Sequence, residues 1–135
     1  MDAEVLEMNF KEQTLKMSFN PDEFFCHSDG TILQGGFITT MLDASMAFLI
    51  MQLVDFKKVP LSIDVNVNFL SSGGPELTIA VARINKIGKS IAFSSADLFQ
   101  NDELIATASS SIKLKDFESR NWIDDTIGKN VKIIR

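Results

Sequence analysis

One carboxylate, Asp43, stands inside a long apolar stretch that begins at two adjacent glycines, Gly35 and Gly36. An ionised carboxylate buried without a partner costs several kcal/mol, so Asp43 either lines a cavity or has a structural role. If the two glycines open a helix, their N–H groups have no partner inside it and carry a partial positive charge. Because glycine lacks a Cβ, a carbonyl oxygen can approach them closely. The stretch thus offers a carboxylate and a place to polarise a carbonyl group.

The spacing of these residues bears on assembly. Gly35 and Asp43 are separated by eight positions, or about 12 Å along a helix axis. They cannot both touch one reacting carbon from the same helix. Two antiparallel copies of the helix, side by side in a dimer, would bring Gly35 of one chain near Asp43 of the other. The spacing therefore favours two sites per dimer, each made by both chains.

The helix that must position these groups lies in the stretch from residue 30 to residue 54. Its apolar side chains cover every side of a helical wheel, which predicts a helix buried on all sides. The uncharged run from 44 to 54 is 11 residues long, against the roughly 20 that a bilayer core requires. We therefore expect a core helix that other elements wrap, and no membrane span.

Strands are predicted on both sides of this helix. A first strand is expected over residues 9–19, followed by an irregular loop over 24–32. Four more follow the helix, at 62–69, 77–86, 90–100 and 103–115, joined by a loop at 71–75 and by hairpin connections at 87–89 and 101–102. Regular alternation in the first of these four places Ile63, Val65, Val67 and Phe69 on one face and Ser62, Asp64, Asn66 and Asn68 on the other. We interpret Asp64 as a structural residue.

This order predicts an α+β fold in which an antiparallel sheet wraps around one long central helix. We expect the 135 residues to form one domain, with a core over about 9–115 and a loosely packed extension, including a short helix, over 116–135. One small sheet cannot cover the far side of an all-apolar helix. A second copy of the chain would supply the missing cover.

The composition of the chain limits which kinds of binding partner and which cellular compartment we expect. The net charge of −5 and the isoelectric point near 4.8 argue against nucleic acid, although a local cluster of lysine and arginine can still hold a small anionic ligand. Cys26 is the single cysteine, so no internal disulfide can form and a reducing compartment is expected. The first residues show no secretory signal, and we expect a cytoplasmic protein without a metal site.

Three stretches resemble the hotdog-fold acyl-CoA thioesterases, specifically the phenylacetate-pathway (PaaI-like) branch. Residues 33–36, followed by 41–43, are similar to the HGG loop, helix start and helix carboxylate of that branch. Residues 61–70 are similar to its central strand, and residues 87–93, with the late strand 104–108, to its G-K/R hairpin. The resemblance spans roughly residues 27–115.

Two positions depart from the family pattern. The usual histidine before the double glycine is Gln34 here, which puts in doubt any role assigned to an imidazole. The asparagine often found upstream corresponds to Asp29, in a loop one residue shorter.

The resemblance implies hydrolysis of an acyl-CoA thioester to free acid and CoA, with no cofactor, because CoA is part of the substrate. Asp43 would act as base or nucleophile, and the N–H groups of Gly35 and Gly36 would polarise the carbonyl. Ser62 would hold the attacking water or the aspartate, and Gln34 would hydrogen-bond the acyl group or the thioester. The resemblance also implies a homodimer with shared sites, paired into a dimer of dimers.

The candidates for contact with the rest of the substrate are weaker. Lys89, at a hairpin tip beside Gly88, is the best candidate for the CoA phosphates, and Arg83, Lys86 and Lys113 rank below it. His27, the one histidine, is either a substrate contact or an ordinary loop or core residue. Asp29 is either a substrate contact or a turn residue.

Other interpretations stay open. Asp43 can be a structural acid held by Ser62 or Thr40. The chain can be a hotdog module that binds acyl-CoA without hydrolysing it, or a plain structural dimer. Hotdog dehydratases and hydratases share the architecture, but they depend on a catalytic histidine paired with an acid, and His27 does not lie in such a motif.

Overall fold

A computed structural model describes residues 1–116 and 131–135. The helix and strands run in the order β1 (Glu4–Asn9), β2 (Thr14–Phe19), β3 (Cys26–His27), β4 (Ile32–Leu33), α1 (Gly35–Leu53), β5 (Lys58–Phe69), β6 (Thr78–Ile87), β7 (Ile91–Gln100), β8 (Glu103–Asp116) and β9 (Lys132–Ile134). A short 3-10 turn at Glu23–Phe25 precedes β3.

Within the described residues, seven strands form one sheet in the order β5-β8-β7-β6-β2-β1-β9. All neighbours are antiparallel except β1 and β9, which pair in parallel. Helix α1 packs across one face of the sheet, against β2 and β5 to β8. The predicted architecture, an antiparallel sheet wrapped around one long helix, is confirmed.

Helix α1 is apolar all round, yet the sheet covers only one of its sides. The residues that face the sheet are fully buried: Ile38, Met41, Leu42, Ser45, Met46, Leu49 and Ile50. Other apolar residues are only half-buried, among them Phe37, Ala44, Ala47, Phe48 and Met51. The described residues therefore do not bury the helix on all sides. By length and composition alone α1 would suffice to cross a bilayer, but its buried side belongs to the core of the sheet.

The N-terminal part contains more strands than the sequence predicts. The stretch expected to form one strand over 9–19 is the end of β1, a tight turn with Gln13 at φ 55°, and β2. The sheet therefore begins at Glu4, ahead of the expected core boundary at residue 9. The expected irregular loop over 24–32 includes the 3-10 turn and β3, which pairs with β4.

Strand β5 differs from the predicted strand in its starting residue and in its alternation. It starts at Lys58, earlier than the predicted 62. Its pairing with β8 passes from Ser62 opposite Ile112 to Asp64 opposite Ser111, so Ile63 forms a β-bulge. The bulge breaks the alternation and turns Ser62 towards α1. The predicted assignment of Ser62 to the face opposite Val65 and Val67 is wrong.

The meander from β6 to β8 agrees with the predicted strands to within a residue or two. Asn101 and Asp102, which join β7 to β8, have φ values of 49° and 63°. Two consecutive residues in the left-handed region give the type I′ turn that matches the twist of a hairpin.

The C-terminal residues differ from the expected loose extension. Strand β9 adds to the sheet beside β1, and the Lys132 ammonium lies 3.2 Å from the Glu7 carboxylate. The guanidinium of Arg135 stacks over the Phe10 ring at 5.2 Å. The expected short helix falls on residues 117–130, outside the described residues.

Candidate active site

The carboxylate of Asp43 has a specific partner. Asp43 lies half-buried in the middle of α1, and the Ser62 hydroxyl donates a hydrogen bond of 2.6 Å to its Oδ1. The bulge at Ile63 is what allows Ser62 to face the helix. Thr40, the other partner considered for Asp43, donates instead to the Gly36 carbonyl at 2.9 Å. One strand and one helix therefore fix the orientation of this carboxylate.

The start of α1 is capped by its own sequence. Gln34 is the N-cap residue, and its side-chain Oε1 accepts a hydrogen bond of 3.0 Å from the Gly36 N–H. A Cβ on Gly36 would stand 2.8 Å from that oxygen. Among the described residues, the Gly35 N–H has no hydrogen-bond acceptor. The two glycine donors thus differ, since one is free and the other is held by the Gln34 amide.

An apolar cavity of about 390 Å³ opens beside this helix start. Its apolar wall consists of Ile32, Leu33, Gly35, Ile38, Phe69 and Leu70. Ser71 and Ser72 complete the lining, and none of these described residues carries a charge. The Phe69 ring lies 3.2 Å from the point where a Cβ on Gly35 would stand. A glycine at position 35 therefore lets this ring reach the helix backbone.

The two parts of the candidate site are separate within one chain. Strand β5 runs along α1, with Ser62 beside Asp43 near one end and Phe69 against Gly35 at the other. The cavity is lined by neither Asp43 nor Ser62. The structure therefore joins Asp43 to Ser62, and Gln34 to the two glycines, but does not join these two groups.

Lys89 lies exposed in the connection from β6 to β7, as predicted, beside Gly88, whose N–H donates to the Ile91 carbonyl at 2.9 Å. The ammonium of Lys58 donates to the Lys89 carbonyl. Sequence reasoning missed Lys58, because residues 58 and 89 become neighbours only through the pairing of the sheet. The Lys58 ammonium therefore lies beside the backbone of the connection that carries Lys89.

The remaining predicted contacts lie apart from the cavity. Arg83 is exposed and paired with Asp97 at 3.1 Å. Its chain neighbours Ala82 and Ile84 contact the core, so Arg83 projects from the face of the sheet that α1 does not cover. Lys86 and Lys113 are likewise exposed residues of β6 and β8.

His27 and Asp29 belong to the small β3–β4 hairpin. The His27 Nδ1 is 2.9 Å from the Ser28 hydroxyl, and both residues are exposed. Asp29 has φ 58°, between Ser28 at 55° and Gly30 at 76°. Three consecutive left-handed residues make a tight turn, which is the role that the alternative interpretation gives Asp29. Neither His27 nor Asp29 lines the cavity.

Two further polar residues have structural surroundings. Asp64 Oδ1 accepts a hydrogen bond of 2.8 Å from the Ser111 N–H beside the bulge, which confirms its structural interpretation. Cys26 is partly buried, and its thiol lies 3.7 Å from the Asp22 carbonyl oxygen. Burial, together with the carboxylates of Asp22 and Glu23, raises the pKa of the Cys26 thiol. This thiol is therefore protonated at neutral pH.

Solved structures share this architecture at low identity. A phenylacetic acid degradation-related protein from Ralstonia eutropha superposes with a TM-score of 0.78 and 21% identity, over 82% of this chain and 83% of that one. Zebra fish thioesterase superfamily member 2 gives 0.72 and 23%, over 83% and 80%. A hypothetical thioesterase protein from Streptococcus pneumoniae, crystallised with coenzyme A, gives a TM-score of 0.75 and 12% identity, over 87% of this chain and 92% of that one.

Two sequence comparisons complement the structural ones. Comparison with curated protein sequences finds no significant match. The family model of the thioesterase superfamily, however, matches residues 30–107, which is more than half of the chain and includes α1 and β5 to β7. The fold is the hotdog fold, and the chain belongs to the thioesterase superfamily.

Proposed function

We propose that this protein hydrolyses an acyl-CoA thioester to a free acid and CoA. The observation that carries the proposal is the hydrogen bond of 2.6 Å from Ser62 to Asp43, in a chain of the thioesterase superfamily. A carboxylate held in one orientation on a helix is what a general base or a nucleophile needs.

The chemistry divides between two groups. Asp43 acts in one of two ways, while Ser62 holds its Oδ1 in place. Either it attacks the thioester carbon, so that the C–S bond breaks, CoA leaves and water hydrolyses the resulting anhydride to the free acid, or it takes a proton from a water that attacks the carbon and displaces CoA. The oxygen of the thioester carbonyl accepts from the glycine N–H groups at the helix start, where the helix dipole favours developing negative charge. The Gly35 N–H is free to donate, and the Gly36 N–H becomes available when the Gln34 amide turns away.

These two groups meet in a homodimer. Strand β5 is an edge strand of the described sheet, and its exposed apolar residues include Leu61 (44% exposed) and Ile63 (60%). An unpaired edge of this length normally requires cover, and the half-buried face of α1 lies beside it. An antiparallel second copy would cover both and bring its Gly35 near Asp43 of the first chain. Pairing of such dimers into a tetramer stays a prediction.

The phosphates of CoA would bind at the corner formed by Lys58 and Lys89, where the Lys58 ammonium donates to the backbone carbonyl of the exposed Lys89. The Streptococcus pneumoniae neighbour crystallised with coenzyme A supports CoA as the thiol part of the substrate. The acidic net charge of the chain makes a local cluster of this kind necessary for an anionic ligand.

The test is thiol release from acetyl-, octanoyl-, palmitoyl-, phenylacetyl- and benzoyl-CoA, read with a chromogenic thiol reagent at pH 7. The raised pKa of Cys26 keeps the signal from the protein's own thiol low. The Asp43→Asn variant should lose about 10²- to 10⁴-fold in kcat, and calorimetry should show unchanged affinity for the ester. Asp64→Asn is the matched control, because the amide oxygen can still accept from Ser111, and it should keep wild-type turnover.

Turnover that survives in Asp43→Asn would contradict the role given to this carboxylate. Binding of CoA esters without turnover of any of them would make the chain an acyl-CoA-binding module. Neither binding nor turnover would leave a structural dimer.

A further inference from the structure

A buried amide, Gln100, lies at the end of β7. Only 4% of this residue is exposed, and it is one of the few buried polar residues of the described core. Its Oε1 accepts a hydrogen bond of 2.9 Å from the Gly74 N–H, and its Nε2 donates to the Gly74 carbonyl at 3.0 Å and to the Thr78 hydroxyl at 2.8 Å. Both ends of the amide are therefore bonded to Gly74, in the segment that leads into β6 at Thr78.

That segment is the loop between β5 and β6. Its first residues, Leu70 to Ser72, form one wall of the apolar cavity beside α1. The Gly73 carbonyl, in turn, accepts a hydrogen bond of 2.8 Å from the Leu33 N–H, directly before the N-cap residue Gln34. A chain of contacts thus runs from Gln100 through the loop to the start of the helix.

The loop fits tightly against the amide. A Cβ on Gly73 would stand 2.6 Å from Gln100 Oε1 and 3.1 Å from Ile105 Cδ1, so only glycine allows this approach. The Leu70 and Ser71 N–H groups also donate to the Ile105 carbonyl, at 2.9 and 3.1 Å. The loop is therefore held on two sides, by a strand carbonyl and by the buried amide.

We propose that Gln100 is a positioning residue that sets the distance between this loop and the helix start, and so the width of the cavity that receives the acyl group. The inference rests on the proposed hydrolysis, which puts the thioester carbonyl at the glycine N–H groups and the acyl chain in the adjoining cavity. Because the lining is uncharged, the ligand is an uncharged hydrocarbon acyl group. An acetyl group is too short to reach the loop, whereas an octanoyl group extends along it.

The test compares Gln100→Glu with wild type in kcat/KM for octanoyl-CoA and for acetyl-CoA. Glutamate has the same shape and can accept from the Gly74 N–H, but when ionised it cannot donate to the Gly74 carbonyl or to Thr78. The ratio of octanoyl to acetyl kcat/KM should fall about tenfold, with kcat for acetyl-CoA unchanged. Thr78→Val removes one of the three bonds and should give a smaller shift in the same direction. Asn85→Ala is the control, because it removes a side-chain amide bonded to Ser95, away from the cavity lining.

An unchanged ratio in folded Gln100→Glu and Thr78→Val, with an active wild type, would overturn this inference alone. If Gln100→Glu does not fold, the ratio of octanoyl to acetyl kcat/KM in Thr78→Val alone tests the inference, and an unchanged ratio there overturns it. If wild type hydrolyses no ester, the proposed hydrolysis fails, and the ratio of the dissociation constants of octanoyl-CoA and CoA, measured by calorimetry, tests the positioning role instead. Wild type that binds neither compound would contradict both.

Discussion

Strand β5 meets helix α1 at two places that differ in chemistry. Near one end, Ser62 donates a hydrogen bond to the Asp43 carboxylate. At the other end, the Phe69 ring lies against Gly35 and helps to line an apolar cavity. The first place holds a carboxylate oxygen in one orientation. Within the described part of the chain, the second offers a free N–H donor at Gly35 and an apolar cavity.

Helix α1 therefore presents the Asp43 carboxylate and the carbonyl-binding glycines at different positions along its length. The carboxylate and the carbonyl-binding end are too far apart to act on one thioester within a single chain, at about 12 Å along the axis. Reversing a second copy of the same strand and helix would place the polar end of one beside the apolar end of the other. In such a two-fold symmetric dimer, each chain would contribute the carboxylate to one site and the glycine N–H groups to the other.

Removing the hydroxyl at the polar end should give the larger effect. Ser62→Ala leaves Asp43 without its donor, so the carboxylate is no longer held in one orientation. We expect kcat to fall about 10- to 100-fold, with KM little changed, because misplacement of a reacting group costs rate rather than binding. Thiol release on one ester measures both constants. Ser62→Thr restores a hydroxyl and should recover most of the rate, whereas an unaltered kcat in Ser62→Ala would show that the hydrogen bond is incidental.

Truncating the ring at the apolar end should give the smaller effect, and one of a different kind. Phe69→Ala enlarges the cavity beside Gly35 and removes part of its apolar wall. We expect kcat/KM for octanoyl-CoA to fall about tenfold while acetyl-CoA changes little, because the loss concerns contacts with the chain of the acyl group. Phe24→Ala is the matched control, since Phe24 is 86% exposed and does not line the cavity. Equal losses on both esters would place Phe69 in the chemistry rather than in recognition.

The sequence predicts the helix, the meander and the architecture, because each rests on local periodicity. Residues 35–53 are mostly apolar and contain no charged residue except Asp43. The type I′ turn at Asn101 and Asp102 follows from two residues that tolerate the left-handed region. Local periodicity does not predict strand β9, because its pairing with β1 joins residues more than 120 positions apart.

The sequence predicts the residue types of the candidate site better than it predicts their contacts. The sequence indicates both Asp43 and Ser62 as candidates, but alternation alone places Ser62 on the wrong face, because a bulge at Ile63 leaves no signature in a run of alternating residues. The bonds from Gln100 to Gly74 connect positions that only the sheet brings together. The capping of Gly36 by Gln34 depends on a side-chain rotamer, which sequence spacing does not specify.

The most direct test of the central claim, a hydrolytic site shared by two chains, is complementation. Asp43→Asn and Gly36→Val are prepared separately, each verified to be inactive, then unfolded, mixed in equal amounts and refolded together, with wild type treated in the same way as the reference. Half of randomly paired dimers are mixed, and each mixed dimer has one intact site, so turnover should recover to about one quarter of the wild-type value. Each variant refolded alone should stay inactive. Absence of any recovery, although the mixed dimer is shown to form, would contradict the shared site.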